Sequence, residues 1–171
     1  MPRSRTRAVV VALVVAAIGG GVTFGILRTG SRGSDPAVFP FAAVGAAPAP
    51  YTGFGTARVR VGNDCLEVLV AADDRTRGLG LRRRTTTRPY AGMLFAFPTM
   101  TDAGFTMAGV PVPLDITWFA ADGAPVDRAR MAPCPDGTDA ACPVYGSDRP
   151  FRYALERTAP SAPVAGALGG C

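Results

Sequence analysis

From Ala57 onward the apolar positions fall into short runs with a period near two, separated by turn-forming residues. Val59 and Val61 alternate with Arg58 and Arg60, and a second run, Cys65 to Ala71, follows across Gly62-Asn63-Asp64; both read as strands. Asp73 to Arg84 opens with acids and closes on Arg82-Arg83-Arg84, the polarity a helix dipole favours, although Gly78 and Gly80 weaken it. Gly92 to Phe97 (GMLFAF) is a compact apolar run that Pro98 should stop, and Phe105 to Met107 reads as another short strand. Leu114 to Ala121 (LDITWFAA) is the clearest strand; Asp122-Gly123 predicts a hairpin turn, with Pro125 to Met131 as the return. Phe151 to Glu156 (FRYALE) alternates Phe, Tyr and Leu with Arg, Ala and Glu. Seven short strands and one helix predict an α+β fold, mostly β: a small barrel-like antiparallel sheet domain with one short helix on one side.

Upstream the pattern changes. Ala8 to Leu27 is a 20-residue run without a charge, long enough to span about 30 Å as a helix, the thickness of a bilayer core. Arg3, Arg5 and Arg7 precede it while Arg28 and Arg32 follow, a bias that puts the C-terminus outside. A cleavable signal has a shorter apolar region closed by small residues, whereas here Arg28-Thr29-Gly30 follows directly. The expectation is a retained single-pass transmembrane anchor in the cell membrane, or a secreted protein if the leader is cut as a signal. No Arg-Arg pair precedes the run and no Cys lies near its end, which argues against twin-arginine export and lipoprotein attachment. Gly30 to Thr56 is rich in Gly, Ala, Pro and Ser, with Pro36, Pro40, Pro48 and Pro50 extending it, and reads as a linker. Residues 1–29 are thus expected to be the anchor or signal, 30–56 the linker, and 57–171 the β-rich domain.

Charge changes the picture less than it first suggests. The chain of 171 residues carries a formal charge of +5, but Arg3, Arg5, Arg7, Arg28 and Arg32 flank the apolar run. From Ala57 onward 13 Arg face 12 acids, net +1, so no nucleic-acid partner is expected. All 18 cationic side chains are Arg, with no Lys and no His. That excludes Ser-His and Cys-His couples, imidazole metal ligands, Schiff-base lysines and P-loop lysines. Cys65, Cys134, Cys142 and Cys171 allow three full pairings. In an oxidising compartment disulfides are the default. Cys134 and Cys142 bracket a Pro/Asp/Gly loop, which makes a local pair natural; Cys65 and Cys171 would then tie the first strand region to residue 171. No C-x-x-C suggests a redox site, the cysteines lack zinc-site spacing, and no cofactor or metal is implied.

Several segments in order resemble the family called domain of unknown function 192 (DUF192). They are Asp74-Arg75-Thr76-Arg77-Gly78-Leu79, Gly92-Met93-Leu94-Phe95, Phe105 with Met107, Pro113-Leu114-Asp115-Ile116 and Asp122-Gly123. Pro133-Cys134, Cys142-Pro143 with Tyr145, and Tyr153-Ala154-Leu155-Glu156 resemble an exported, cysteine-bearing branch of it, and coverage runs from about Ala57 to Glu156. The resemblance implies a small β-rich fold with no established activity, often behind a signal or anchor. The chain departs from the family pattern where Phe-Trp-Met-Lys-Asn-Thr is common, reading Phe105-Thr106-Met107-Ala108-Gly109-Val110, and it has Gly80 where a methionine is expected.

Asp115 is the first binding candidate, because a carboxylate between Leu114 and Ile116 is costly unless paired. It would contact a hydroxyl-rich ligand or act as an acid or base; its structural alternative is a partner such as Arg77 or backbone amides at a turn. Arg77 is a further binding candidate, and Met107 and Met93, with Met100 and Trp118, would line an apolar pocket or form ordinary core. The run Arg82 to Arg88 suits phosphate-bearing polymers or lipid head groups, or a solvated helix end. These readings point to an uncharacterised exported or membrane-anchored cell-envelope protein whose extracytoplasmic domain binds a cell-wall ligand or another exported protein without catalysis. The alternatives are a structural or assembly protein of the envelope, and a glycan hydrolase using Asp115 with a second acid, Glu156 or Glu67.

Overall fold

A computed structural model describes residues 41, 43–161, 164 and 166–171. Strands β2 (Gly55–Val61) and β3 (Asp64–Ala71) form the expected hairpin, with Gly62 turning at a φ of 61°. Helix α1 (Asp74–Leu79) then crosses to β4 (Met93–Thr101), which lies parallel to β3. The remaining large pairings are antiparallel: β4 with β9 (Phe151–Thr158), β9 with β6 (Leu114–Phe119), and β6 with β7 (Pro125–Met131). β1 (Ala43–Ala46) and β10 (Leu168–Gly170) both pair with β2, along successive stretches of it. β5 (Phe105–Thr106) and β8 (Val144–Tyr145) make a separate ribbon. The fold is mostly β with one short helix, and its large sheet runs β1-β2-β3-β4-β9-β6-β7 without closing.

Successive residues of the central strands feed two cores, because side chains alternate across a sheet. Leu69, Met93, Phe95, Ile116, Trp118 and Ala154 belong to one cluster. Their neighbours Val68, Val70, Leu94, Phe119, Tyr153 and Leu155 belong to the other. Both faces of the middle of the sheet are therefore apolar, and strict polar–apolar alternation does not hold there.

Five elements differ from the sequence expectation. α1 occupies only the first half of Asp73–Arg84. Asp73 caps it by accepting from the Thr76 amide at 2.8 Å, and it stops at Gly80, whose φ is 47°; Arg83 then turns left-handed at φ 59°. β4 runs through Pro98, because its ladder with β9 shifts between Ala96 and Thr101, where proline's missing amide costs no hydrogen bond. Part of the stretch read as linker is ordered: β1 pairs with β2, and Phe41, Tyr51 and Phe54 are buried. Tyr51 donates its hydroxyl hydrogen to the Thr86 carbonyl at 2.8 Å and meets Tyr90 edge to face. β1, β8 and β10 are additional to the seven expected strands.

Disulfides join Cys134 to Cys142 and Cys65 to Cys171, with Cα separations of 6.1 and 5.9 Å, both ordinary for the bond. Gly137 lies so close to Cys134 and Cys142 that a Cβ there would overlap both sulfurs. Ala8 to Leu27 lies outside the described residues, and among those described no helix is long and apolar enough to cross a membrane.

Candidate functional site

The crossover from β3 to β4 leaves a pocket of about 320 Å³ between α1 and the sheet. Its apolar lining includes Phe95 and Phe97 from β4, Phe105 from β5, and Val110. Glu156, from β9, reaches it from the sheet side. The register explains why: Glu156 pairs with Met93 on one side and Ile116 on the other, so it faces the same core as those two residues. Only 4% of the residue is exposed. Its carboxyl has no hydrogen-bond partner among the described residues, and burial pushes its pKa up to about 8. At neutral pH it is a carboxylic acid, able to donate one hydrogen bond and accept others. On the same face, diagonal to it, the Trp118 Nε1–H is also buried without an acceptor among the described residues.

The pocket rim is charged but internally balanced. Arg77 donates to the Ala72 carbonyl at 2.6 Å, the Ala96 carbonyl at 2.7 Å and the Asp74 carboxylate at 2.6 Å. Its guanidinium also lies over the Phe97 ring at 5.0 Å. Arg82 donates to the Ala108 carbonyl at 2.8 Å and pairs with Asp139. Neither arginine touches Glu156, so neither offsets the cost of ionising it.

Asp115 stands on the opposite face of β6, in a groove of about 380 Å³. Its partner is not Arg77 but Arg130, directly across the β6–β7 ladder, which donates from Nε at 2.7 Å and Nη2 at 3.1 Å. The Ser161 amide donates to it at 2.8 Å and the Ser161 hydroxyl at 3.1 Å. The Arg130 hydrogen bonds, and then those from Ser161, hold the carboxyl below the usual aspartate range against the opposing effect of burial. Asp115 thus fastens the segment after β9 to the sheet. Because Asp115 pairs with Arg157 while Ile116 pairs with Glu156, the two acids project from opposite faces. The facing pair that a glycan hydrolase built on them would need is not assembled, and Glu67 lies on β3, two places from β9 in the sheet.

The structure brings Arg77 to the Glu156 pocket but leaves Met93 and Met107 fully buried in the core beside Trp118, while Met100 is exposed. In the basic run, Arg82 is engaged as described, and Arg84 donates to the Pro50 carbonyl at 2.9 Å and lies over Tyr51. Among the described residues no three acidic or cysteine side chains gather as a metal-ligand set.

A family model described as "Uncharacterized ACR", DUF192, matches residues 57–165. The chain belongs to the DUF192 family. Glu156, Asp115, Arg77 and Ser161 all fall within the matched DUF192 region, whereas β1, β10 and Cys171 lie outside it. The DUF192 fold recurs in a protein of unknown function from Novosphingobium aromaticivorans, 21% identical at a TM-score of 0.53, with 75% of this chain and 88% of that one covered. A candidate transcription regulator from Sinorhizobium meliloti is 27% identical at a TM-score of 0.49, with 59% and 77% covered. A search of curated proteins finds no match to this DUF192 chain.

Proposed function

We propose that this DUF192 chain is an exported cell-envelope protein, held to the cytoplasmic membrane by Ala8–Leu27, whose domain binds a small, largely apolar ligand in the Glu156 pocket without catalysis. One observation carries the binding role: a buried carboxyl facing an aromatic-lined cavity with no hydrogen-bond partner among the described residues. Leaving a polar group in that state is costly, and native folds do so chiefly where an ordered water or a ligand completes the site. An apolar pocket with a few convergent polar groups and one perturbed acid is the usual form of a small-molecule site. Export is supported by the apolar run, by the arginines before it, and by two disulfides, which persist in oxidising compartments.

The test is thermal unfolding of the full chain in lipid nanodiscs against a panel of small amphiphiles. A ligand at 100 times its dissociation constant adds about 2.7 kcal/mol, a shift of several degrees for a domain of this size. The shift should vanish in a pocket-filling Thr106→Trp variant that still unfolds cooperatively. Persistence of the shift in that variant, or no shift with any compound in the parent, would overturn the reading. Export is checked by protease treatment of intact spheroplasts, which should digest residues 57–171; protection until lysis would refute it.

A further inference from the structure

We infer that the ligand of this pocket is an organic amine: a protonated nitrogen meets Glu156 while a compact apolar body lies among Phe95, Phe97 and Phe105. The inference rests on the reading of the pocket as a ligand site and adds the ligand's charge. It follows from which groups are already committed. Arg77 and Asp74 of α1 bond to each other, as do Arg82 and Asp139 of the Cys134–Cys142 loop. The rim cations thus carry bound counter-charges, and their other hydrogen bonds go to backbone carbonyls. Arg157, next to Glu156 in the chain, faces the Asp115 side of the sheet. Glu156 is therefore the pocket's unpartnered ionisable group among the described residues.

An entering anion would meet a buried acid and arginines already engaged. An entering ammonium would meet a carboxyl that it can ionise and three ring systems whose quadrupoles favour cations. The pocket already shows that preference, with the Arg77 guanidinium over the Phe97 ring. A volume of about 320 Å³ suits a molecule the size of an arylalkylamine.

Binding of the ammonium form requires the Glu156 carboxyl to release its proton to solvent, one proton per ligand. Because that carboxyl titrates near 8 when the pocket is empty, affinity for an amine should climb with pH, by up to about tenfold per unit below that value. A neutral amide or alcohol bonded to the protonated acid predicts flat affinity over the same range and a decline above it.

The full chain in nanodiscs would be titrated calorimetrically with benzylamine, benzamide and benzyl alcohol from about pH 6 to about pH 8, in buffers of different ionisation enthalpy. The expected result is benzylamine binding that tightens with pH and releases close to one proton at about pH 6, falling to about half a proton at about pH 8. Both features should be lost in Glu156→Gln, whose retained fold is verified by its melting transition. Glu156-dependent binding of benzamide or benzyl alcohol with flat pH dependence, and none of benzylamine, would overturn the amine assignment and leave the pocket reading intact. Absence of benzylamine binding, or equal binding of it to Glu156→Gln, would overturn the amine assignment; absence of binding by all three, together with no thermal shift from any amphiphile of the panel, would overturn the pocket reading as well.

Discussion

Glu156 and Asp115 stand on neighbouring strands, and their surroundings drive them to opposite protonation behaviour. Asp115 accepts from Arg130 and Ser161, which favours its ionised form, so its contribution to stability is present above the ordinary aspartate range and is lost only as pH falls through its lowered pKa. Glu156 has only burial to respond to, which favours its protonated form and raises it from 4.5 to about 8. Across that interval the folded state holds a proton that the unfolded state has released, so stability should fall as pH rises from about 4.5 and level off above about 8. The slope from this one group approaches about 1.4 kcal/mol per pH unit. Glu156→Gln keeps a neutral polar side chain of the same shape and removes the titration. Urea unfolding at a series of pH values should give a variant curve that is flatter over this interval and lies above the parent at pH 8. Parallel curves would mean that Glu156 is not buried as an acid.

At the scale of elements, local signals were legible and long-range pairings were not. Asp122-Gly123 announced its hairpin because the chemistry is local: the Asp122 carboxylate accepts from the Ala124 amide at 3.0 Å, and Gly123 adopts φ 83°. The same glycine also serves an element that the sequence concealed. Its carbonyl accepts from the Leu168 amide at 2.8 Å, and a Cβ on it would strike the Leu168 carbonyl. β10 itself, Leu168-Gly169-Gly170, has almost no strand propensity and exists through its register with Val59–Val61. β1, in an Ala- and Gly-rich stretch, was hidden for the same reason. Glu156 was named from the sequence as a candidate acid, but its burial was hidden: alternation in FRYALE assigns it to the solvent side, and a sheet apolar on both faces has no solvent side at that position. Arg77 was named from the sequence as a binding candidate, but its anchoring was not legible, since one of its partners is the carbonyl of Ala96, distant in sequence. Gly123→Ala should cost about 2 kcal/mol or more, combining left-handed strain with displacement of β10. Hydrogen exchange should show faster opening in residues 168–170 and their β2 partners than in the β4–β9 ladder. Uniform acceleration would show that β10 does not open as a separate unit.

For the molecule as a whole, the disulfides divide the work by loop length. Cys65–Cys171 closes a separation of 106 residues, enclosing α1, the pocket and most of both cores, whereas Cys134–Cys142 closes a separation of 8. If restriction of the unfolded chain dominates, the first contributes nearly 5 kcal/mol and the second about 2.5 kcal/mol. They should also differ in what they protect. Residue 171 follows β10, which pairs with β2 and so covers one edge of the large sheet; losing the long bond should lower global stability and free that edge. The short loop carries Asp139, the partner of Arg82 at the rim of the Glu156 pocket. Losing its bond should alter the pocket more than the fold. The paired variants Cys65→Ala/Cys171→Ala and Cys134→Ala/Cys142→Ala separate these effects. The first should show the larger drop in melting temperature with nearly normal ligand affinity at low temperature. The second should show the smaller drop but weaker binding, through loss of order in the segment that neutralises Arg82. If the order of melting temperatures is reversed, native contacts of the short loop outweigh chain entropy, and the short disulfide is the main staple of the fold.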